Sequence, residues 1–170
     1  MRAIPLTVTA VAAALLLTAC NDGGNSAKGK DSSACKVGDV SVQIGSASVA
    51  PAAGDTGEVP VSITNQSAPC TLSGFAAVRL KAGGTTVSVP ALEGAKAQKL
   101  KLAKGDSASF TISYVRGEAG GGSSIEAKTV EVALGGGATQ SFPWSYGPVA
   151  VKGGADSPNA SVSAYQQAGD

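Results

Sequence analysis

The most reactive side chains in this sequence of 170 residues are three cysteines, and their positions assign them two chemistries. Cys20 closes the run Leu17-Thr18-Ala19-Cys20. An apolar residue, two small residues and a cysteine fit the bacterial lipobox. Small residues let a signal peptidase approach the backbone, and the thiol accepts a diacylglyceryl group before cleavage. The competing readings are an ordinary secretion signal beside a chance cysteine, or a buried helix. The complete lipobox, followed at once by a polar linker, favours lipidation of Cys20. Cys35 and Cys70 remain. In an exported protein they meet an oxidising compartment, where two leftover cysteines pair. A thiol metal site would want four Cys/His ligands, and the chain has no histidine. A Cys35–Cys70 disulfide is therefore expected, with no metal and no cofactor.

The missing histidine also removes imidazole general acid/base work and the Ser-His-Asp triad. Met1 is the sole methionine, which excludes a methionine-rich Cu(I) site. Ser33-Ala34-Cys35-Lys36 matches Ser-x-x-Lys, the nucleophile motif of penicillin-recognising enzymes. Its Ser-Asp-Asn and Lys-Thr-Gly companions are absent, and it sits where a linker meets a domain. Residues 24–30 match Gly-x4-Gly-Lys of a phosphate-binding loop, but Asp31 takes the Ser/Thr place and no strand precedes it. Carboxylates are scattered, so a glycosidase pair would have to be assembled by folding. Phe142, Trp144 and Tyr146 alternate and read as one face of an aromatic strand. A lone Trp in a small sandwich usually packs in the core. The sharper reading is a binding surface that stacks on a sugar or a partner, kept open by the flanking Pro143 and Pro148.

The elements that must position these groups are almost all strands. Residues 1–19 have a basic start at Arg2 and an apolar run too short to span a bilayer, as in a signal peptide. Residues 20–34 are glycine, serine and charge, the composition of a flexible tether for the lipidated Cys20. The organising stretch is 59–80: Val59, Val61 and Ile63 alternate, Asn65 to Pro69 break the strand, and Val78 and Leu80 resume one. Pro60 cannot donate to a ladder, which reads as a strand start or an edge. Gly83-Gly84 predicts a hairpin, and residues 92–97 a crossing with one helical turn. Ala108, Phe110, Ile112 and Tyr114 form the cleanest alternation, with serines and threonine between them. Val130, Val132 and Leu134 follow, and a short strand at Val149 and Val151. Residues 153–170 read as a mostly disordered tail, with weak pairing at 161–165.

Two pieces carry a family resemblance. Thr64-Asn65, Ala68-Pro69-Cys70-Thr71-Leu72 and Gly74-Phe75 form one; the run from Leu102 through Lys104-Gly105-Asp106 to Phe110 is the other. Together they resemble the signature of an actinobacterial family of secreted proteins and lipoproteins, domain of unknown function 4232. The resemblance spans roughly 35–114. It implies an immunoglobulin-like β-sandwich and an envelope location, and it implies no reaction and no ligand. The chain departs from the pattern at Ala76-Ala77, at Lys104, and in lacking a second cysteine pair.

The sequence thus predicts an all-β protein, a single immunoglobulin-like β-sandwich of seven to nine strands over 35–152. With 13 basic and 12 acidic residues and 4% aromatics, nothing supports nucleic-acid binding. The expected protein is a monomer, not an enzyme, lipid-anchored on the extracytoplasmic face of the cell membrane. Its partner would be an envelope protein or a glycan, met through the loops at 47–57 and 117–124. The alternatives are a structural spacer or a carboxylate-based glycan hydrolase.

Overall fold

The computed structural model describes residues 33–168. The expected signal peptide, Cys20 and nearly all of the expected tether lie outside them. Among the described residues there is no helix. The strands are β1 (Val40–Ile44), β2 (Thr56–Asn65), β3 (Cys70–Gly74), β4 (Ala77–Ala82), β5 (Thr85–Val89), β6 (Gln98–Leu102) and β7 (Ser107–Val115). They continue with β8 (Ser124–Ile125), β9 (Thr129–Ala133), β10 (Thr139–Pro143), β11 (Val149–Ala150), β12 (Ala160–Val162) and β13 (Gln166–Gln167). One antiparallel sheet has the order β1-β2-β7-β12, with β13 also on β7; a second runs β10-β9-β4-β5. Two small pairs, β3-β6 and β8-β11, complete an all-β, sandwich-like fold. There are more strands than the seven to nine expected, because several hold only two or three residues.

The two sheets share one core. Val59, Val61 and Ile63 of β2 and Phe110 and Ile112 of β7 join Leu80 of β4 and Val130 and Val132 of β9 in it. At about 1.5–3 kcal/mol for each large apolar side chain taken from water, this shared interior is the principal stabilising term. The period-two pattern dictates it: β7 buries every second residue, from Ala108 to Tyr114. Gly83, at φ +58°, makes the tight turn between β4 and β5, where Ala82 pairs with Thr85. Residues 92–97 contain a turn, closed by the Ala95 N–H on the Leu92 carbonyl at 3.1 Å, in place of the helical turn expected.

Pro60 is neither a strand start nor an edge. It lies in the middle of β2, between β1 and β7. Its carbonyl accepts the Gly45 N–H at 2.9 Å, and the next pairing on that side joins Ser48 to Glu58. Three steps along one chain thus match two along the other. This is a bulge, where the ladder makes no use of the donor that proline lacks.

Residues 153–168 are not a tail either. β12 pairs with β7, and Val162 also donates to the Pro90 carbonyl at 2.9 Å and accepts from Leu92 N–H at 2.8 Å, tying the segment to the chain that leaves β5. Val162 and Tyr165 are fully buried, and the Tyr165 ring meets Phe110 edge-on at 5.9 Å. Burying that much apolar surface offsets the entropy of ordering the segment.

Burial pushes the Tyr165 phenol up to about 12. Its folded pKa therefore exceeds the value of about 10 in an unfolded chain. Its contribution to stability is complete below pH 10 and is lost as pH rises from there through 12. Tyr165→Phe is expected to flatten the alkaline decline in thermal unfolding midpoints between those limits. An unchanged slope in the variant would show that this phenol does not control it.

Candidate functional site

Of the residues singled out in the sequence, Cys35 and Cys70 are bonded at 2.03 Å and are both buried. The bond pins the domain entrance. The Cys35 N–H donates to the Thr71 carbonyl at 3.0 Å, and the Thr71 N–H donates to the Ser33 carbonyl at 2.9 Å. Ser33 and Lys36 therefore flank an extended, disulfide-bonded segment rather than opening a helix as a Ser-x-x-Lys nucleophile does. Cys20 lies outside the described residues.

The aromatic triplet does not form one strand face. β10 ends at Pro143, paired with Thr129, the first residue of β9, and one further backbone bond, from the Trp144 N–H to the Lys128 carbonyl at 2.9 Å, ends the pairing. Trp144 turns inward, 5% exposed. Its indole N–H donates to the Gly147 carbonyl at 2.7 Å, and its ring meets Tyr114 at 5.2 Å and Tyr146 at 4.9 Å, both edge-on. Phe142 and Tyr146 are only partly exposed. A stacking platform would need the Trp144 ring in solvent, and the ring is buried.

What the aromatics do instead is brace two loops. The Tyr114 hydroxyl donates to the Tyr146 carbonyl at 2.8 Å and accepts the Ala50 N–H at 3.3 Å. Its ring lies against Gly57, where a Cβ would come within 2.5 Å of it, so only glycine fits. Arg116, two residues on, donates from Nη1 to the Ala50 carbonyl at 2.7 Å. Its backbone carbonyl accepts the Gly54 N–H at 2.8 Å and its own N–H donates to the Asp55 carbonyl at 2.9 Å. Asp55 in turn accepts the Ala52 N–H on Oδ2 at 3.0 Å. Desolvation, and then the neighbouring Tyr114, hold the Tyr146 phenol above its usual range.

Beside this framework the two loops expected to make contacts line one groove. A groove of about 460 Å³ is lined by Ala53 and Gly54 from the first, by Glu118, Gly122 and Ser123 from the second, and by Arg116. Small side chains leave backbone groups accessible along its walls. One guanidinium, one carboxylate and serine hydroxyls supply the side-chain chemistry. Tyr114 and Arg116 are not marked in the sequence as supports of the loops. The available signal was an arginine at the end of the strongest alternation, followed at once by glycine.

A second groove, of about 540 Å³, lies by the β4–β5 hairpin and is lined by Glu126, Lys128 and Asp156 among others. Glu126 accepts the Gly120 N–H on Oε1 at 2.7 Å. Among the described residues, no three Cys, Asp or Glu side chains cluster to hold a metal ion.

The family described as Domain of unknown function (DUF4232) matches residues 35–166. The match runs through β12 and into β13, beyond the two motifs that carried the resemblance. No curated protein matches the chain.

Proposed function

This chain belongs to the DUF4232 family of domains of unknown function, and on that premise we propose that it is a lipid-anchored, extracytoplasmic binding domain without catalytic activity. Its contact site is the groove between residues 47–57 and 117–124. The observation that carries this reading is the meeting of those loops around Arg116 in one groove, with the first loop held at Ala50 by Tyr114 and Arg116. Function placed on braced loops above a fixed scaffold is the usual arrangement for recognition. A photo-crosslinking residue at Ser123, in intact cells, is expected to capture one envelope protein or glycan reproducibly. Capture of lipid neighbours alone would reject the reading and leave a structural spacer.

The anchor has its own test. Cys20→Ala is expected to appear in the soluble fraction or to accumulate with its signal peptide attached. A variant processed normally and still membrane-bound would remove the lipoprotein reading. The glycan-hydrolase alternative draws on Glu126 and Asp156 lining one groove. It requires release of reducing ends from wall glycan, abolished in Glu126→Gln. The binding reading expects no such release from the wild-type protein.

A further inference from the structure

Lys96, Lys99, Lys101 and Lys104 crowd into nine residues and are all exposed. β6 carries the middle two. Leu102 is buried and Leu100 half-buried, so strand alternation sends Lys99 and Lys101 together to the opposite face. Their partners on β3 are Ser73 and Thr71, so no acidic side chain stands across from them. Glu93 and Asp106 bracket the stretch, and Asp106 is engaged through Oδ2 with the Ala103 N–H at 2.9 Å. Among the described residues the one ion pair, Lys81–Glu131, belongs to the β4–β9 pairing of the second sheet.

The chain enters the domain beside this face. Residues 33–35 bond to Thr71 along one edge of β3, and β6 occupies the other. With about 4.8 Å between neighbouring strands, the entrance lies roughly 10 Å from the lysine-bearing strand. Twelve residues separate Cys20 from Ser33, a reach of no more than about 45 Å.

We infer that the outer face of β6 docks on the anionic phospholipid surface to which the chain is anchored, with these four lysines against headgroup phosphates. This rests on the lipoprotein reading of Cys20 proposed above. Each lysine near an anionic leaflet strengthens binding about fivefold. Attachment through the tether supplies a high effective concentration, so a weak face suffices to orient the domain. Lysines also protect edge strands from unwanted pairing, and β6 pairs on one side only. That role accounts for Lys99 and Lys101. It does not account for Lys96 and Lys104, which flank the strand.

The test labels the full mature protein with an amine-reactive reagent in the presence of vesicles and measures each lysine by peptide mass spectrometry. Vesicles of phosphatidylcholine alone are compared with vesicles of about one-third phosphatidylglycerol. The four lysines are expected to label at least about fivefold more slowly with the anionic vesicles, while Lys128 and Lys152 label equally in both. Salt at about 1 M should erase the difference. Equal labelling of the four in both vesicle types overturns the inference. Stronger protection by soluble poly(glycerol phosphate) than by vesicles also overturns it and assigns the face to a wall polymer. In Lys99→Glu/Lys101→Glu, the lipid dependence at Lys96 and Lys104 should disappear, and its persistence would count against docking. Intact mass reports separately whether Cys20 carries lipid. A chain without lipid defeats the anchor, and labelling with added vesicles still decides the docking.

Discussion

Replacing Cys35 and Cys70 together with alanine is expected to lower the stability of the domain by about 4 kcal/mol. The bond joins residues 35 apart in sequence, and the constraint it places on the unfolded chain grows with the length of that loop. A domain of this size is stable by about 5–15 kcal/mol in total, so the variant would be marginal. With a urea dependence of about 2 kcal/mol per molar, the unfolding midpoint should fall by about 2 M. Cys35 is fully buried and Cys70 nearly so. Reductant should therefore leave the native protein largely oxidised and reduce it quickly once urea opens the core. Equal midpoints for the wild-type and double-alanine proteins would show that the bond constrains nothing the sheets do not already fix. The consequence also reaches the entrance of the chain. Residues 33–35 hold to β3 through two backbone bonds at Thr71, and without the disulfide those bonds face fraying alone.

What the sequence displays is governed by how local the cause is. The alternation from Ala108 to Tyr114 is legible because a half-buried strand writes its own period. The hairpin at Gly83 is legible because its turn chemistry lies between its strands. β12 leaves only the weak pairing signal at 161–165, and β13 leaves none. They hold three and two residues, and their partners on β7 are about fifty positions earlier, so nothing nearby marks Val162 and Tyr165 as core. Pro60 is misread for a related reason: the bulge that accommodates it is made by residues 45–48, on another strand. Trp144 belongs to the same class. Its spacing from Phe142 and Tyr146 suits a strand, but the strand pairing ends at Pro143–Thr129 with one last backbone bond from the Trp144 N–H to the Lys128 carbonyl, and the indole lies inward. The meeting of the two loops in one groove was visible only as two separate loops, since Tyr114 and Arg116 hold the first of them by bonds to the main chain at Ala50, some sixty residues away.

Asn65→Ala is expected to cost about 3 kcal/mol, although Asn65 lines neither groove. It is fully buried at the end of β2. Its Nδ2 donates to the carbonyls of Ala68 and Leu102, each at 3.0 Å, and its Oδ1 accepts the Ser67 N–H at 3.0 Å. Its own carbonyl accepts the Gly105 N–H at 2.7 Å, and its N–H donates to the Asp106 carbonyl at 2.9 Å. One residue thus clamps the end of β2, the loop before Cys70, the end of β6 and the turn into β7. Alanine removes three side-chain bonds, each contributing about 1 kcal/mol, and leaves polar groups in a dry site. Asn65→Asp separates bonding from space filling. It keeps the shape, but a carboxylate oxygen would face the two carbonyls that the amide had served. The charged form is disfavoured there, so the folded pKa rises above the usual carboxylate range. The aspartate variant should therefore be least stable at neutral pH and regain stability as pH falls, the direction set by a raised folded pKa. Urea midpoints at pH 7 and pH 4 decide it. An aspartate variant equal to wild type at both would mean that Asn65 only fills volume. The expected pattern would make Asn65, part of a motif that carries the family resemblance, a support for the fold.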